Sequence, residues 1–128
     1  MAMSNKSNLI ASGQVGNNSD VLVWDFHSEK ILYRLSEHDY QVSVIEFSDD
    51  DRLLLSIGNF MDNKLFVWDN STGYIVGSKS LDEVVVCAAW GGRVRDIKWR
   101  DTQNYRFSIA YETSLTIWEL DPTTGNLL

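Results

Sequence analysis

Short apolar runs separated by polar turns recur along the whole chain. Each run is four to six residues long, is rich in β-branched and aromatic residues, and is bounded by Asn, Asp, Ser or Gly. Alternation of apolar and polar side chains, as in residues 42–47, predicts a strand with one buried face. No stretch holds a helical period for long, and the valines at 84–86 favour a strand within the ambiguous segment 81–90. The pattern therefore predicts an all-β fold of antiparallel strands.

The predicted strands group into repeated units. Trp24, Trp68 and Trp118 each end a similar apolar run, and an acidic residue follows each of them. They are 44 and 50 residues apart, and self-similarity at such a period marks a repeat architecture. We predict a single domain over residues 1–128, with about three repeats that end near these tryptophans. The predicted strands cover residues 9–13, 21–25, 31–35, 42–47, 53–58, 65–69, 74–78, 94–99, 107–111 and 115–119.

Four residues of the middle unit form a set. His38 stands four residues before Val42, Ser56 lies in the second strand, and Asp62 lies in the turn before the strand that Trp68 ends. In this spacing the unit resembles the WD repeat of β-propellers. The resemblance implies antiparallel four-stranded blades of an incomplete WD-repeat propeller, with about three blades. It also implies one hydrogen-bond network, because the indole N–H can only donate and needs an acceptor such as the Ser56 hydroxyl.

The outer units depart from this pattern. The first has its serine and its tryptophan but lacks a visible first strand. The third has Ser108 and Trp118 but carries Glu112 where the family places an Asp. An additional segment, residues 82–93, separates the second and third units. The pattern leaves open whether this segment is a strand or a long loop.

A more specific resemblance rests on short sequence runs across the chain. These runs are similar to the opening blades of the cilia- and flagella-associated WD-repeat proteins, which line the doublet microtubules of the axoneme. The resemblance covers roughly residues 9–122 and implies a cytoplasmic scaffold of the cilium or flagellum that contacts tubulin or neighbouring axonemal proteins. The echinoderm-type microtubule-associated propellers share the run at 13–15 and also bind microtubules. The runs are residues 10–15, 34–38, 55–58, 76–78 and 117–121.

Three classes of function fit such a chain. We favour a non-catalytic protein-interaction scaffold, with a general cytoplasmic WD-repeat adaptor as the alternative and a propeller enzyme as the third possibility. His38, Ser56 and Asp62 match a Ser-His-Asp triad in residue type. A catalytic serine needs exposure and an oxyanion hole, whereas Ser56 lies in mid-strand. We therefore expect no enzyme activity and no cofactor.

Composition and charge further limit the classes of partner that we expect for the chain. The formal charge is −7 and the sequence pI is about 4.6, so the clustered positive charge of a nucleic-acid-binding protein is missing. No window holds about 18 uninterrupted apolar residues, so we expect no membrane span. Residues 1–8 also lack the pattern of a signal peptide.

Two further features concern possible metal or redox chemistry. The single cysteine, Cys87, allows no internal disulfide and no multi-cysteine zinc site, and its apolar neighbours predict that it is buried. The acidic run at 49–51 predicts a polar turn rather than a calcium loop, because calcium loops alternate their ligands and carry a glycine. We therefore expect no metal.

Loop aromatics point to a possible binding surface. Tyr40, Phe60 and Met61 lie in the loops before the first and third strands of the middle unit, and these loops emerge on the same face of a blade. Such residues are enriched at interfaces, but they could equally fold over the neighbouring blade.

The number of repeats bears on assembly. Three blades cannot close a ring, since propellers typically have 4 to 8. We expect a piece of a longer propeller, and the alternative is assembly with copies of itself through the first and third units. Residues 127–128 look like the start of a further strand.

Overall fold

The computed structural model confirms the predicted all-β antiparallel class. It describes residues 2–3, 9–13, 20–35, 38, 41–48, 50–59, 63–70, 72–81, 83–95, 101–121 and 127. These residues form eleven strands and no helix.

Three sheets follow one another along the chain, and every strand pair in them is antiparallel. The first sheet contains, in spatial order, β1 (Ala2–Met3), β2 (Leu9–Gly13), β3 (Val21–Asp25) and β4 (Ile31–Leu35). The second contains β5 (Val42–Phe47), β6 (Leu53–Gly58), β7 (Lys64–Asp69) and β8 (Ile75–Ser80). The third contains β9 (Val85–Arg95), β10 (Asp101–Tyr111) and β11 (Leu115–Leu120), with β10 in the middle.

The first strands of the two outer sheets differ from the sequence expectation. The first unit does have a first strand, because Ala2–Met3 pairs with β2. In the third unit, the first strand is Val85–Arg95, which covers most of the undecided segment and the first two residues of the strand expected at 94–99. Residues 96–99 lie outside the described residues. A local apolar pattern locates candidate strands, but their bounds follow from pairing with a distant partner, here the eleven residues of β10. Leu127 adds one β-bridge beside β11.

The two central strands of the second sheet, β6 and β7, are buried on both faces. In β6 every residue is buried, because successive side chains point to opposite faces and each face has a neighbouring sheet. Leu53, Leu55 and Ile57 belong to the core shared with the third sheet. Leu54 belongs to the core shared with the first sheet, together with Trp68. The molecule is therefore three sheets in face-to-face contact.

All three sheets have the same orientation in this stack. The face that carries the repeat tryptophan points to the preceding sheet: Trp68 packs into the core with the first sheet, and Trp118 packs against the core with the second. The opposite face points to the following sheet, and Val23 and Val67 are buried there. This regularity is what the repeat in the sequence encodes.

Cys87 is exposed, so the prediction that it is buried is wrong. Cys87 pairs with Ala110 in β10, whereas its neighbour Ala88 pairs with Ile109. Neighbouring residues of a strand point to opposite faces, so Ala88 is buried against the second sheet and Cys87 lies on the other face. No described residue covers that face. The apolar run around Cys87 predicted a strand but not which of its faces is covered.

Gly13 lies where the first and second sheets approach closely. A Cβ added at Gly13 would stand 2.8 Å from the Cβ of Val42 and 3.2 Å from the Cδ1 of Ile45. Real Cβ atoms do not come so near to a neighbouring Cβ, so a larger residue would push the sheets apart.

Gly13→Ala is therefore expected to lower the free energy of unfolding by about 1–3 kcal/mol. Urea denaturation measures this difference. Gly91→Ala is the matched control, because a Cβ at Gly91 would meet its nearest neighbour, the Arg106 carbonyl oxygen, at an ordinary 3.4 Å. If both variants are as stable as the parent chain, the sheets are farther apart than described.

Candidate functional site

A buried hydrogen-bond cluster joins β6, β7 and the segment before β5. The indole Nε1 of Trp68 donates to the Oγ of Ser56 at 2.9 Å, and the Nε2 of His38 lies 2.8 Å from the same oxygen. All three residues are at most 3% exposed. The structure thus brings together three of the four predicted residues. Asp62 falls outside the described residues, so its place in the network stays a prediction.

The strand register explains why these side chains meet. Ser56 pairs with Phe66, and Leu54 pairs with Trp68, so Ser56 and Trp68 lie on the same face of the second sheet. The His38 ring stands edge-on to the Phe66 ring at 4.9 Å between centroids. A serine hydroxyl has one donor and two acceptor positions, so it can accept from Trp68 and still bond His38 in either tautomer. The cluster ties the chain before β5 to the middle of the sheet.

The first sheet repeats part of this arrangement on its outer face. The Nε1 of Trp24 donates to the Oγ of Ser12 at 3.1 Å, and both residues are only partly buried. The register is the same as in the second sheet, since Ile10 pairs with Trp24 and Ser12 pairs with Leu22.

In the third sheet, the tryptophan N–H donates to a threonine instead of a serine. The Nε1 of Trp118 donates to the Oγ1 of Thr116, two residues earlier in β11, at 3.0 Å. Ser108 was expected in the role of the serine, but it pairs with Ile117 and so lies on the other face of the sheet. Ile109 stands at the corresponding position, opposite Thr116. A shift of one residue reverses the face, and this is why comparison of the three units selected the wrong residue.

A second cluster, which the sequence did not reveal, joins the second and third sheets. The hydroxyl of Tyr105 donates to the Oδ2 of Asp50 at 2.6 Å. The Oδ1 of Asp50 accepts from the Oγ of Ser48 and from the backbone N–H of Arg52, which closes the turn between β5 and β6. The acidic run predicted this polar turn, but Tyr105 is 55 residues away and no local signal links the two.

Two further polar contacts cross the same interface. The Nε1 of Trp90 donates to the backbone carbonyl of Glu46 at 3.1 Å, and the ammonium of Lys79 lies 4.6 Å from the centre of the Trp118 ring. Burial raises the pKa of the Glu46 carboxyl, so the folded state disfavours its charged form. The hydrogen bond of Trp90 and the cation–π contact of Lys79 fix the lateral position of the third sheet on the second. Apolar packing alone would not do so, because it has little directional preference.

The three candidate interface residues, Tyr40, Phe60 and Met61, lie outside the described residues. The ends of their two loops are nevertheless joined, because the backbone N–H of Asn59 donates to the carbonyl of Gln41 at 2.8 Å. The loop before β5 therefore ends, and the loop after β6 begins, at the same end of the second sheet.

The described residues hold neither a cluster of metal ligands nor a membrane-spanning helix. Nowhere among them do three His, Cys, Asp or Glu side chains gather as a metal site requires. None of them belongs to a helix with the length and hydrophobicity needed to cross a membrane.

Comparison with known proteins agrees with the repeat. Residues 29–69 match the family described as WD domain, G-beta repeat. Over 99% of its length the chain is 36% identical to cilia- and flagella-associated protein 52 from Chlamydomonas reinhardtii. It spans only 20% of the length of that relative.

Solved structures show the same fold. A chain in the crystal structure of the mitotic checkpoint complex matches 98% of this chain with a TM-score of 0.75 and 20% identity, over 36% of its own length. The β-propeller domain of Cps50 (Swd1) from Myceliophteria thermophila matches 98% with a TM-score of 0.71 and 21% identity, also over 36% of its length. The three sheets therefore have the fold of β-propeller blades, and residues 29–69 among them match a WD repeat.

Ser56→Ala is expected to lower the free energy of unfolding by about 1–3 kcal/mol, because it removes the buried acceptor of the Trp68 indole N–H and one hydrogen-bond partner of His38. Thermal or urea denaturation measures the loss. Ser12→Ala is the control: Trp24 is partly exposed, so water can replace the lost hydroxyl and the cost should be below about 1 kcal/mol. Equal losses in the two variants would contradict the role assigned to burial.

Tyr105→Phe is expected to cost about 1.5–3 kcal/mol, because it removes a hydrogen bond to a carboxylate between two sheets. Tyr111→Phe serves as control, since the Tyr111 hydroxyl bonds no described residue and the same atom is removed there. Denaturant midpoints of the two variants give the comparison. A Tyr105→Phe variant that matches the control would show that the contact with Asp50 adds nothing to stability.

Proposed function

We propose that the chain, whose sheets have the fold of β-propeller blades, acts as a non-catalytic scaffold that binds proteins in the axoneme of cilia or flagella. The observation that carries this proposal is the identity to cilia- and flagella-associated protein 52, because it extends over nearly the whole chain and so over all three blades. The fold itself supports protein binding only in general terms, since propellers serve many functions.

Burial of the polar cluster supports the non-catalytic part of the proposal. Ser56 is fully buried and its hydroxyl already accepts from Trp68, and His38 is 3% exposed. A nucleophile and its base must be reachable by a substrate. Their arrangement favours a structural role over that of a propeller enzyme.

The binding surface we propose is the end of the second sheet from which the loops with Tyr40, Phe60 and Met61 emerge. The hydrogen bond from the backbone N–H of Asn59 to the carbonyl of Gln41 holds one end of each loop together. Aromatic and methionine side chains on such a surface favour a protein partner. The charge of −7 favours a partner with a basic surface over the acidic outer face of tubulin.

Cosedimentation tests this proposal. The tagged chain is mixed with demembranated axonemes, with microtubules polymerised from purified tubulin, and with no filament. We expect it to pellet with axonemes and hardly at all with tubulin alone. A variant carrying Tyr40→Ala, Phe60→Ala and Met61→Ala should lose about 1.4 kcal/mol or more of binding free energy, which is tenfold in affinity.

Tyr74→Ala is the matched control. Tyr74 is 76% exposed and lies in the turn after β7, at the opposite end of that strand, so this change should leave binding unaltered. Equal binding to bare tubulin microtubules would make tubulin the partner. Failure to pellet with axonemes, combined with binding to another cytoplasmic complex, would favour the adaptor function and contradict the axonemal one.

A further inference from the structure

A cavity of about 340 Å³ lies between the second and third sheets. Thr116 and Trp118 of β11 line it on one side, and Lys79 of β8 lines it on the other. Leu81, in the segment that joins the two sheets, also contributes to its wall. Both sheets that enclose the cavity belong to this chain. The cavity is therefore part of an interface between two described sheets.

The same place in the second sheet is filled by an aromatic ring. Three positions correspond between the two sheets: the tryptophan, the residue two positions before it, and the residue four positions before the first strand. The Phe66 ring is 8% exposed and lies 4.9 Å from the His38 ring and 5.7 Å from the Trp68 ring, between centroids. Threonine at the phenylalanine position leaves this space empty in the third sheet. The corresponding residues there are Trp118, Thr116 and Leu81.

The second sheet also shows that a fourth strand does not fill this place. Its fourth strand, β8, is present, and Ser78 is the residue of β8 that pairs with Phe66. Ser78 is exposed, whereas Phe66 is buried. The ring that occupies the space therefore comes from the third strand, and by the same pattern a strand beside β11 leaves the cavity open.

The residues around the cavity favour an uncharged aromatic ring. Trp118 is only partly buried and Tyr111 lies near it in the lining, so two aromatic side chains can contact a third. The exposed Lys79 and Glu83 bring one charge of each sign, which offset each other. An apolar cavity of about 150 Å³ already holds benzene, so a volume of 340 Å³ is sufficient for an aromatic side chain.

The cavity adjoins the loop for which we propose protein binding. Asn63 ends the loop that carries Phe60 and Met61, and its Nδ2 donates to the carbonyl of Leu81 at 2.9 Å. The backbone N–H of Leu81 in turn donates to the carbonyl of Asn63 at 2.8 Å. This pair of hydrogen bonds joins the end of the loop to a residue of the cavity wall.

We propose that the cavity receives a phenylalanine or tyrosine side chain of a protein partner. The side chain takes the place beside Trp118 that Phe66 takes beside Trp68. The identity of the partner as an axonemal protein rests on the proposed function, whereas the chemistry of the cavity does not.

Titration with short peptides tests the chemistry of the cavity. The chain contains five tryptophans, and comparison with Trp118→Phe assigns the indole N–H resonance of Trp118 in the NMR spectrum. We expect a capped Gly-Phe-Gly peptide to shift this resonance until it saturates. A capped Gly-Leu-Gly peptide should bind about two- to tenfold more weakly, because it cannot form aromatic contacts.

Three outcomes of the titration would overturn the proposal. The first is a Trp118 resonance that neither peptide shifts. The second is equal binding of the two peptides, which would exclude a preference for a ring. The third is a shift with free toluene but not with the phenylalanine peptide, since this would show a cavity that a partner's side chain cannot reach.

Thr116→Phe fills the cavity from within and should abolish binding of the phenylalanine peptide. Leu115→Phe is the matched control: it adds the same ring one residue earlier in β11, on the opposite, aliphatic face, where Leu115 is 62% exposed. This control should bind the peptide as the parent chain does. Circular dichroism shows whether Thr116→Phe folds, and Thr116→Leu replaces it if it does not. Peptide binding that survives the filling variant would contradict the proposed position.

Cosedimentation with demembranated axonemes then separates this inference from the proposed function. Thr116→Phe should lower the affinity for axonemes about tenfold, and Leu115→Phe should leave it unchanged. If the parent chain does not pellet with axonemes, the axonemal function fails while the peptide titration still decides the chemistry of the cavity. If the parent chain and Thr116→Phe pellet equally, the function stands and the use of the cavity by that partner is overturned.

Discussion

The contact between a tryptophan-bearing face and an aliphatic face organises this molecule. It occurs between the first and second sheets and again between the second and third, so the central strands β6 and β7 of the middle sheet are buried on both faces. Burial on both sides imposes a condition on every polar group in β6 and β7, because an unpaired polar atom there would cost free energy. The hydrogen bonds of Ser56 with Trp68 and His38 satisfy that condition. The polar cluster is thus a consequence of the packing, and it also ties down the chain before β5.

Apolar contact between flat sheets resists separation more than sliding, and polar contacts at the edges supply the missing directionality. Tyr105 bonds Asp50 near one turn of the second sheet, and Trp90 bonds a carbonyl of β5. Lys79 lies over the Trp118 ring farther out. Three anchored points of this kind define the position of one sheet on another. The loop ends at Gln41 and Asn59 are joined by a hydrogen bond at one end of this second sheet, where we propose the binding surface.

Much of the middle blade could be predicted from the sequence, and less of the outer two. The spacing of His38, Ser56 and Trp68 was sufficient to predict their cluster. A separation of twelve positions between the serine and the tryptophan places both side chains on one face of a short hairpin. In the third blade the spacing is ten residues, and the same reasoning selected Ser108, which faces the other way. The tryptophan there uses Thr116 instead, a choice that depends on which residue of β10 pairs with which residue of β11. Pairing register is a property of two strands, so it cannot be predicted from the sequence of either strand alone.

The sequence by itself determined the strands, their antiparallel class and the repeat, because these follow from a local alternation of side chains and a period near 44 to 50 residues. The tertiary structure alone decided which face of each strand is covered. Alternation defines two faces without distinguishing them, so Cys87 and Ala88 look alike in sequence although only Ala88 is buried. The same holds for Ala2–Met3, whose two residues become a strand only because β2 offers a free edge. Which face of a strand is buried, and which strand it pairs with, depend on segments far apart in the chain. No local sequence pattern predicts either of them.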